Sequence, residues 1–125
     1  MQDESYSCTN REVVSLACGR TARIMRKARF LSQEETAMLS NICQSYLSNI
    51  EQGRNLISLD KLCLLSHGLN YELKECFELL DSEITNMSDL LRFYDSNDRK
   101  FKDYRDFGEL VRRNIDMEIL TPDLF

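Results

Sequence analysis

Residues 33–51 restrict the fold of this chain most narrowly, because they combine two short amphipathic segments with the residue types that a tight turn requires. Ala37 is small where a second helix must pass close to the first, and Asn41 can adopt the left-handed backbone conformation of a turn. Leu47 and Ile50, three residues apart, place the second helix against a core. The segment therefore predicts two helices that cross over a tight turn.

The polar residues of the second predicted helix face away from this core. They are Gln44, Ser45, Tyr46, Ser48 and Asn49. A helix fits the major groove of double-stranded DNA, where each base pair shows a distinct pattern of donors, acceptors and methyl groups. The amides of Gln44 and Asn49 can bind adenine in bidentate fashion, and the two serine hydroxyls can donate or accept. Tyr46 offers a ring to a thymine methyl and a hydroxyl to a phosphate. The pattern is typical of a helix-turn-helix that reads DNA.

Further motifs flank this segment in a fixed order. They occupy residues 23–26, 31–35, 50–54 and 58–62. Together they resemble the Cro/CI-type DNA-binding domains of phage and bacterial regulators, also called lambda-repressor-like or XRE domains, over residues 20–80. The resemblance implies an all-α fold, with a five-helix DNA-binding domain followed by a C-terminal helical extension. The departures from the family pattern are Asn41 for a turn glycine, Cys43 for a capping Ser or Thr, Thr36 for leucine and Ile57 for proline.

The resemblance also implies roles for residues outside the second helix of the motif. Gln33 would start helix two and contact the DNA backbone, with the N–H groups of that helix terminus aimed at phosphate. Arg54, Asn55 and the start of helix four would hold the backbone on the other side. Arg26 and Glu51 match a pair that joins the first and third helices in the family. The backbone contacts would position the protein, whereas Gln44, Ser45 and Asn49 would specify the sequence.

Capping signals and apolar periodicity predict seven helices. The predicted caps are Thr9 with Glu12 for helix one (10–29), Ser32 with Glu35 for helix two, and Ser58 for helix four. Helix five is predicted over 71–84, a sixth helix begins at Asn86, and a seventh covers 99–117 after a turn at 95–98. The predicted divisions are an N-terminal extension (1–19), the DNA-binding domain (20–84) and a C-terminal extension (85–125) for dimerisation or partner binding.

Two apolar segments lie outside the family pattern. The first comprises Val13, Val14, Leu16 and Ala17 and requires a surface to cover, either the chain's own C-terminal region or a partner. The second recurs at helical spacing near the C-terminus, at Phe101, Tyr104, Phe107, Leu110, Val111 and Ile115. An exposed patch of this size favours self-association as a homodimer, with packing onto helix five as the alternative.

The charge distribution fits a DNA partner in spite of the net charge of −5. Residues 20–61 carry seven basic and four acidic side chains, whereas residues 62–125 carry eight and fourteen. Because phosphate binding requires basic protein, the location of the positive charge matters more than the total. The basic part coincides with the motif.

The five cysteines indicate a reduced, cytoplasmic protein. They lie at positions 8, 18, 43, 63 and 76. Their number is odd and no two of them form a Cys-x-x-Cys pair, so we expect them to be buried small hydrophobes. For Cys43, which lies at a predicted helix N-terminus, the alternative is a role as a redox sensor. The N-terminus has no apolar signal region and no stretch reaches transmembrane length, so neither export nor membrane insertion is expected.

Catalysis has no support in the sequence. His67 is the one histidine and has no nucleophile or carboxylate at a catalytic spacing. The acidic residues 95–106 lack the spacing of a calcium loop, and no glycine-rich phosphate loop is present. We expect no enzyme activity, no cofactor and no metal.

The sequence therefore predicts a regulator of transcription, most simply a homodimeric repressor that binds a palindromic operator in double-stranded DNA. The alternative is a protein-interaction module, such as an antitoxin, whose C-terminal extension binds a regulatory protein partner.

Overall fold

The computed structural model describes residues 10–96 and 104–114. Within them the chain forms six α-helices and no strand. The helices are α1 (Arg11–Ala28), α2 (Gln33–Ser40), α3 (Gln44–Glu51), α4 (Leu59–Gly68), α5 (Leu73–Ser96) and α6 (Tyr104–Asn114). The prediction of an all-α, lambda-repressor-like fold with C-terminal helices is confirmed.

The N-cap of the central helix α1 lies one residue later than predicted. Its N-cap is Asn10, whose Oδ1 accepts a hydrogen bond from the backbone N–H of Val13 at 3.2 Å. The predicted capping box of Thr9 and Glu12 is wrong, since the Glu12 carboxylate binds Arg112 of α6 instead, at 3.1 Å. From Val13 to Arg26, α1 is buried on almost every side, because two cores form along it.

The first core joins the C-terminal half of α1 to α2, α3, α4 and the start of α5. Its buried members are Ala22, Met25, Ala37, Leu47, Ile50, Leu62, Leu65, Leu69 and Cys76. This core holds the two helices of the turn motif against α1, so it determines how α3 is presented to solvent.

The second core covers the apolar N-terminal segment. Val13, Leu16 and Ala17 of α1 pack against α5 and α6, and the buried partners are Met87, Leu91, Phe107 and Val111. The chain's own C-terminal helices therefore cover this segment. Of the apolar patch expected near the C-terminus, Phe107 and Val111 are buried within the same chain and Leu110 is half-buried, whereas Phe101 and Ile115 fall outside the described residues.

Helix α5 is continuous over residues 73–96, so the predicted end at 84 and new start at Asn86 are wrong. Asn86 does not cap a new helix, because its Nδ2 donates to Glu83 Oε2 at 2.8 Å within the same helix. Glu83 is itself buried in an ion pair with Arg20 of α1, whose Nε lies 2.8 Å from Glu83 Oε1. Interactions with α1 thus stabilise α5 through the polar residues around 84–86, where the sequence predicted the end of a helix.

The domain boundaries predicted from the sequence stay a prediction. Helix α1 crosses the one at 19/20, and α5 crosses the one at 84/85. Helix α6 lies inside the predicted seventh helix, whose remaining residues fall outside the described part. The turn predicted at 95–98 is wrong for 95 and 96, which belong to α5, while residues 97 and 98 fall outside the described part. No helix among the described residues combines the length and apolar character needed to cross a membrane.

Four helix ends close with the same backbone arrangement. At the end of α1, the N–H of Phe30 donates to the carbonyl of Lys27 at 3.0 Å, and the N–H of Leu31 donates to that of Arg26 at 3.3 Å. The ends of α2, α3 and α4 repeat both bonds. This arrangement places one residue in the left-handed region, which glycine or asparagine usually fills. The residues are Phe30 (φ 58°), Asn41 (φ 54°), Gly53 (φ 71°) and Asn70 (φ 59°).

Candidate nucleic-acid interface

Helices α2 and α3 form the predicted pair of helices around a tight turn. Ser32 and Glu35 make the expected capping box at α2: Ser32 Oγ accepts from the Glu35 N–H, and Glu35 Oε1 accepts from the Ser32 N–H. Asn41 has φ 54° and ψ 45°, so its predicted left-handed conformation is confirmed. Ala37, Leu47 and Ile50 are buried, as the spacing predicts.

The close approach of α3 to α1 depends on Gly19, which sequence reasoning did not assign to the site. A Cβ at this position would collide with the backbone oxygens of Ile50 and Glu51. Glycine lets the last turn of α3 lie directly on α1. The signal was a glycine in the middle of a predicted helix, which weakens a helix unless close packing requires it.

A buried ion pair fixes the other end of this contact. Arg26 binds Glu51 through two bonds, with Nε 2.7 Å from Oε2 and the second guanidinium nitrogen 2.9 Å from Oε1. The remaining nitrogen of Arg26 donates to the carbonyl of Leu31 at 2.8 Å. The predicted pair is present, and it joins α1, the α1–α2 turn and α3.

Gln33, at the first position of α2, shares this network. Its Nε2 donates to Glu51 Oε1 at 3.1 Å, and its side chain is half-buried. The predicted backbone contact would use what remains exposed of this side chain together with the N–H groups of the α2 N-terminus.

The outward side of α3 carries the polar residues predicted to read bases. Gln44, Ser45 and Asn49 are exposed, while Ser48 is half-buried and its Oγ accepts from Gln52 Nε2 at 3.3 Å. The loop after α3 adds Arg54 and Asn55, both exposed. Arg54 Nε donates to Gln52 Oε1 at 2.7 Å. All seven residues predicted on α3 and this loop fall within residues 44–55. Their contact with DNA stays a prediction.

Tyr46 has an internal contact that the sequence did not predict. Its ring is half-buried against the first core, and its hydroxyl accepts a hydrogen bond from the backbone N–H of Ser58 at 3.3 Å. Tyr46 thus ties α3 to the start of α4. Ser58 occupies the N-cap position of α4 as predicted, but it makes no capping bond, because its hydroxyl donates to Asp60 Oδ1 at 2.7 Å. That bond lowers the pKa of Asp60.

The cysteines differ in exposure, and the expectation that all are buried is wrong for two of them. Cys18 and Cys76 are buried, and burial raises the pKa of each thiol. Cys63 and Cys43 are exposed. Cys43 is the N-cap of α3, and its Sγ lies 3.0 Å from Ser45 Oγ; this hydroxyl, together with the nearby N–H groups of Tyr46 and Ser45, lowers the pKa of the thiol. Cys8 lies outside the described residues.

The loop after α3 is also held from the C-terminal side. Gly53 packs on Leu16 of α1, and a Cβ at this position would lie 2.8 Å from the Leu16 Cδ2. Arg112 of α6 donates to the Gly53 carbonyl at 3.2 Å while it pairs with Glu12. The residue next to Arg54 is therefore fixed by α1 and α6 together.

The described part of the chain contains no group of three or more His, Cys, Asp or Glu side chains that could hold a metal ion. His67 is exposed on α4.

Comparisons with known proteins agree with this geometry. The sequence model of the helix-turn-helix family matches residues 23–76, which extend from within α1 to the start of α5. No curated protein matches the chain in sequence. Among solved structures, the clp gene regulator ClgR from Corynebacterium glutamicum is similar, with a TM-score of 0.57 and 22% identity over 70% of this chain and 96% of that one. At this identity, the likeness concerns the fold.

Proposed function

Because residues 23–76 are a helix-turn-helix domain of the Cro/CI (XRE) type, we propose that the chain is a sequence-specific regulator that inserts α3 into the major groove of double-stranded DNA. The domain match supports a DNA-binding transcriptional regulator as the class of protein. The observation that carries the proposal is the contrast between the two sides of α3. Its inward side is locked by Leu47, Ile50 and the Arg26–Glu51 pair, while its outward polar residues are exposed.

Base reading is assigned to the exposed residues of α3. Gln44, Ser45 and Asn49 would hydrogen-bond to base edges, and Ser48 would add a hydroxyl at the margin. Tyr46 would present to DNA the part of its ring that the core leaves exposed. Since the backbone of α3 is held on both flanks, these side chains meet DNA without a prior rearrangement of the helix.

Backbone contacts are assigned to the two ends of the motif. At one end lie Gln33 and the N-terminus of α2, whose N–H groups favour an anion. At the other lie Arg54 and Asn55 in the loop held by Arg112. Such contacts fix the orientation of α3 and add affinity that depends on salt.

Dimerisation on a palindromic operator and repression by occlusion of polymerase complete the proposal. A single domain makes few base contacts, and two linked half-sites lengthen the recognised sequence. Since Phe107 and Val111 are internal, we assign self-association to side chains that α5 leaves exposed, such as Phe93, which is 59% exposed. The free cysteines Cys18, Cys43, Cys63 and Cys76 support a cytoplasmic location.

A protein partner is the second candidate, because the first turns of α5 expose apolar and acidic side chains together. Leu73 and Phe77 lie on one stripe beside Glu72, Glu75 and Glu78. This surface would suit a basic protein, as in an antitoxin-like module.

Selection of bound duplexes from a random DNA pool at moderate salt tests the proposal. An enriched, two-fold symmetric motif is the expected result. Weak binding without enrichment would contradict it, and would favour the protein-partner function.

A further inference from the structure

Phe30 is an exception among the four helix ends that share one backbone arrangement. Gly53, Asn41 and Asn70 are of the types that tolerate a left-handed conformation, whereas Phe30 adopts φ 58° with a bulky side chain. The ring gains little from the rest of the chain, because Phe30 is 94% exposed. Neither backbone preference nor packing explains a phenylalanine at this position.

Such a residue is unfavourable for folding on two counts. A side chain in the left-handed region is strained, and a large apolar ring in water contributes no burial. Backbone strain of this kind occurs most often at binding and catalytic sites. The surroundings of the ring should therefore indicate which partner it binds.

The turn that carries Phe30 is held rigidly beside the proposed DNA surface. On one side, Arg26 binds the Leu31 carbonyl with the same guanidinium that holds Glu51 of α3. On the other, Arg29 Nε donates to the Leu69 carbonyl at 2.9 Å, and its guanidinium lies 4.1 Å from the centroid of the Tyr71 ring. The backbone that carries Phe30 is thus held in place relative to α3, and its ring projects into solvent.

The neighbourhood favours DNA as the partner. Phe30 precedes Gln33 by three residues, which limits their Cα separation to about 11 Å. The last turn of α1, directly before it, is basic and includes the exposed Lys27. The ring therefore lies between a basic helix end and the α2 N-terminus that is proposed to bind phosphate.

We propose that Phe30 is an additional DNA contact, whose ring packs on the deoxyribose backbone next to the phosphate bound by the α2 N-terminus. The inference rests on the proposed function and names a further residue of the same interface. The contact is apolar, so it releases no counterions and does not depend on the base sequence.

The test compares Phe30→Gly with the wild-type chain on a fluorescent duplex of the selected sequence, at several salt concentrations. Phe30→Gly should raise the thermal unfolding midpoint by about 3 to 6 °C, because glycine relieves the backbone strain. It should weaken binding about 10-fold at every salt concentration, with an unchanged slope of log affinity against log salt. If the variant is more stable and still binds less tightly, the loss of affinity comes from the missing contact and not from partial unfolding.

Three matched variants isolate the ring from the backbone. Phe30→Ala should lose the same affinity without the gain in stability, and Phe30→Tyr should keep the affinity. Asn70→Gly changes an equivalent left-handed position at the end of α4 and should leave binding unaltered.

Wild-type affinity in Phe30→Gly would overturn this inference and leave the proposed function intact. Unchanged DNA affinity with loss of self-association, measured by sedimentation, would also overturn it and assign the ring to a contact between copies. A wild-type chain that binds no duplex would overturn the inference together with the proposed function.

Discussion

The side chain of Arg26 links three parts of the proposed interface, namely α1, the α1–α2 turn and α3. Its guanidinium joins Glu51 at the end of α3 to the Leu31 carbonyl of the α1–α2 turn, and Glu51 in turn accepts from Gln33. The pair was expected from the resemblance alone. The bond from Gln33 was not, because spacing along a helix does not reveal which side chains share a carboxylate across three elements.

Arg26→Met should lower the free energy of unfolding by about 3 to 5 kcal/mol, because it leaves the buried Glu51 carboxylate without its positively charged partner. Urea denaturation at neutral pH measures this. The double variant Arg26→Met, Glu51→Leu should recover much of the loss, since no buried charge remains. A loss below about 1 kcal/mol in the single variant would contradict the assigned role.

Cys43 is predicted to be the most reactive of the described thiols. The Ser45 hydroxyl and the nearby N–H groups of the α3 N-terminus lower its pKa, so its thiolate forms at lower pH than in an ordinary cysteine. Iodoacetamide should modify Cys43 at least about threefold faster than Cys63, which is also exposed, at neutral pH.

Ser45→Ala should slow the alkylation of Cys43 and move its pH–rate midpoint upward, because the serine hydroxyl makes the largest contribution. Equal rates for Cys43 and Cys63, read by mass spectrometry, would contradict this prediction. The sequence did not predict that both cysteines are exposed. Free cysteines are usually buried, but this general tendency does not determine on which face of its helix a given cysteine lies.

Among the helices, the turn motif and the Arg26–Glu51 pair were predictable, whereas the long-range contacts that hold α5 and the loop after α3 were not. The αL turn at Asn41 and the capping box at Ser32 follow from local chemistry, so sequence alone predicted them. The continuity of α5 depends on Arg20 reaching Glu83 from a helix 63 residues away, and local propensity carries no information about such a contact. The support of the loop after α3 by α6 is of the same long-range kind.

Arg112→Met should loosen that loop, because it removes the bond to the Gly53 carbonyl and the pair with Glu12. Hydrogen exchange should accelerate about 10-fold at the amides of Gly53 and Arg54, whose own bonds close the end of α3. Arg113→Met is the matched control, since within the described residues the bond of Arg113 Nε stays inside α6, to the carbonyl of Glu109. Equal exchange in the two variants would show that α6 does not hold the loop.

On the scale of the whole molecule, two cores share α1, and the second couples the C-terminal helices to the motif. Phe107 is fully buried between α1 and α5, whereas Phe93 of α5 is largely exposed. The sequence left open whether the C-terminal apolar face pairs with another copy or packs internally, because periodicity identifies an apolar face and not what covers it.

Phe107→Ala should cost about 3 to 5 kcal/mol of unfolding free energy and leave the solution mass unchanged. Phe93→Ala should have little effect on stability and should shift a dimer towards monomer if α5 is the proposed interface. Denaturation and sedimentation of both variants measure these effects. A change of mass in Phe107→Ala with full stability would contradict the internal packing.

The central claim is that exposed residues of α3 read the base sequence, and its most direct test is parallel selection from a random DNA pool with the wild-type chain and with Gln44→Ala. We predict the same two-fold symmetric motif from both, with the preference lost at one base pair of each half-site in the variant, where affinity falls by about 1 to 3 kcal/mol. Arg54→Ala, run alongside, should retain the full motif and weaken all sequences alike. Identical motifs from wild type and Gln44→Ala would contradict base reading by Gln44, and the absence of any enriched motif would contradict sequence-specific DNA binding by α3.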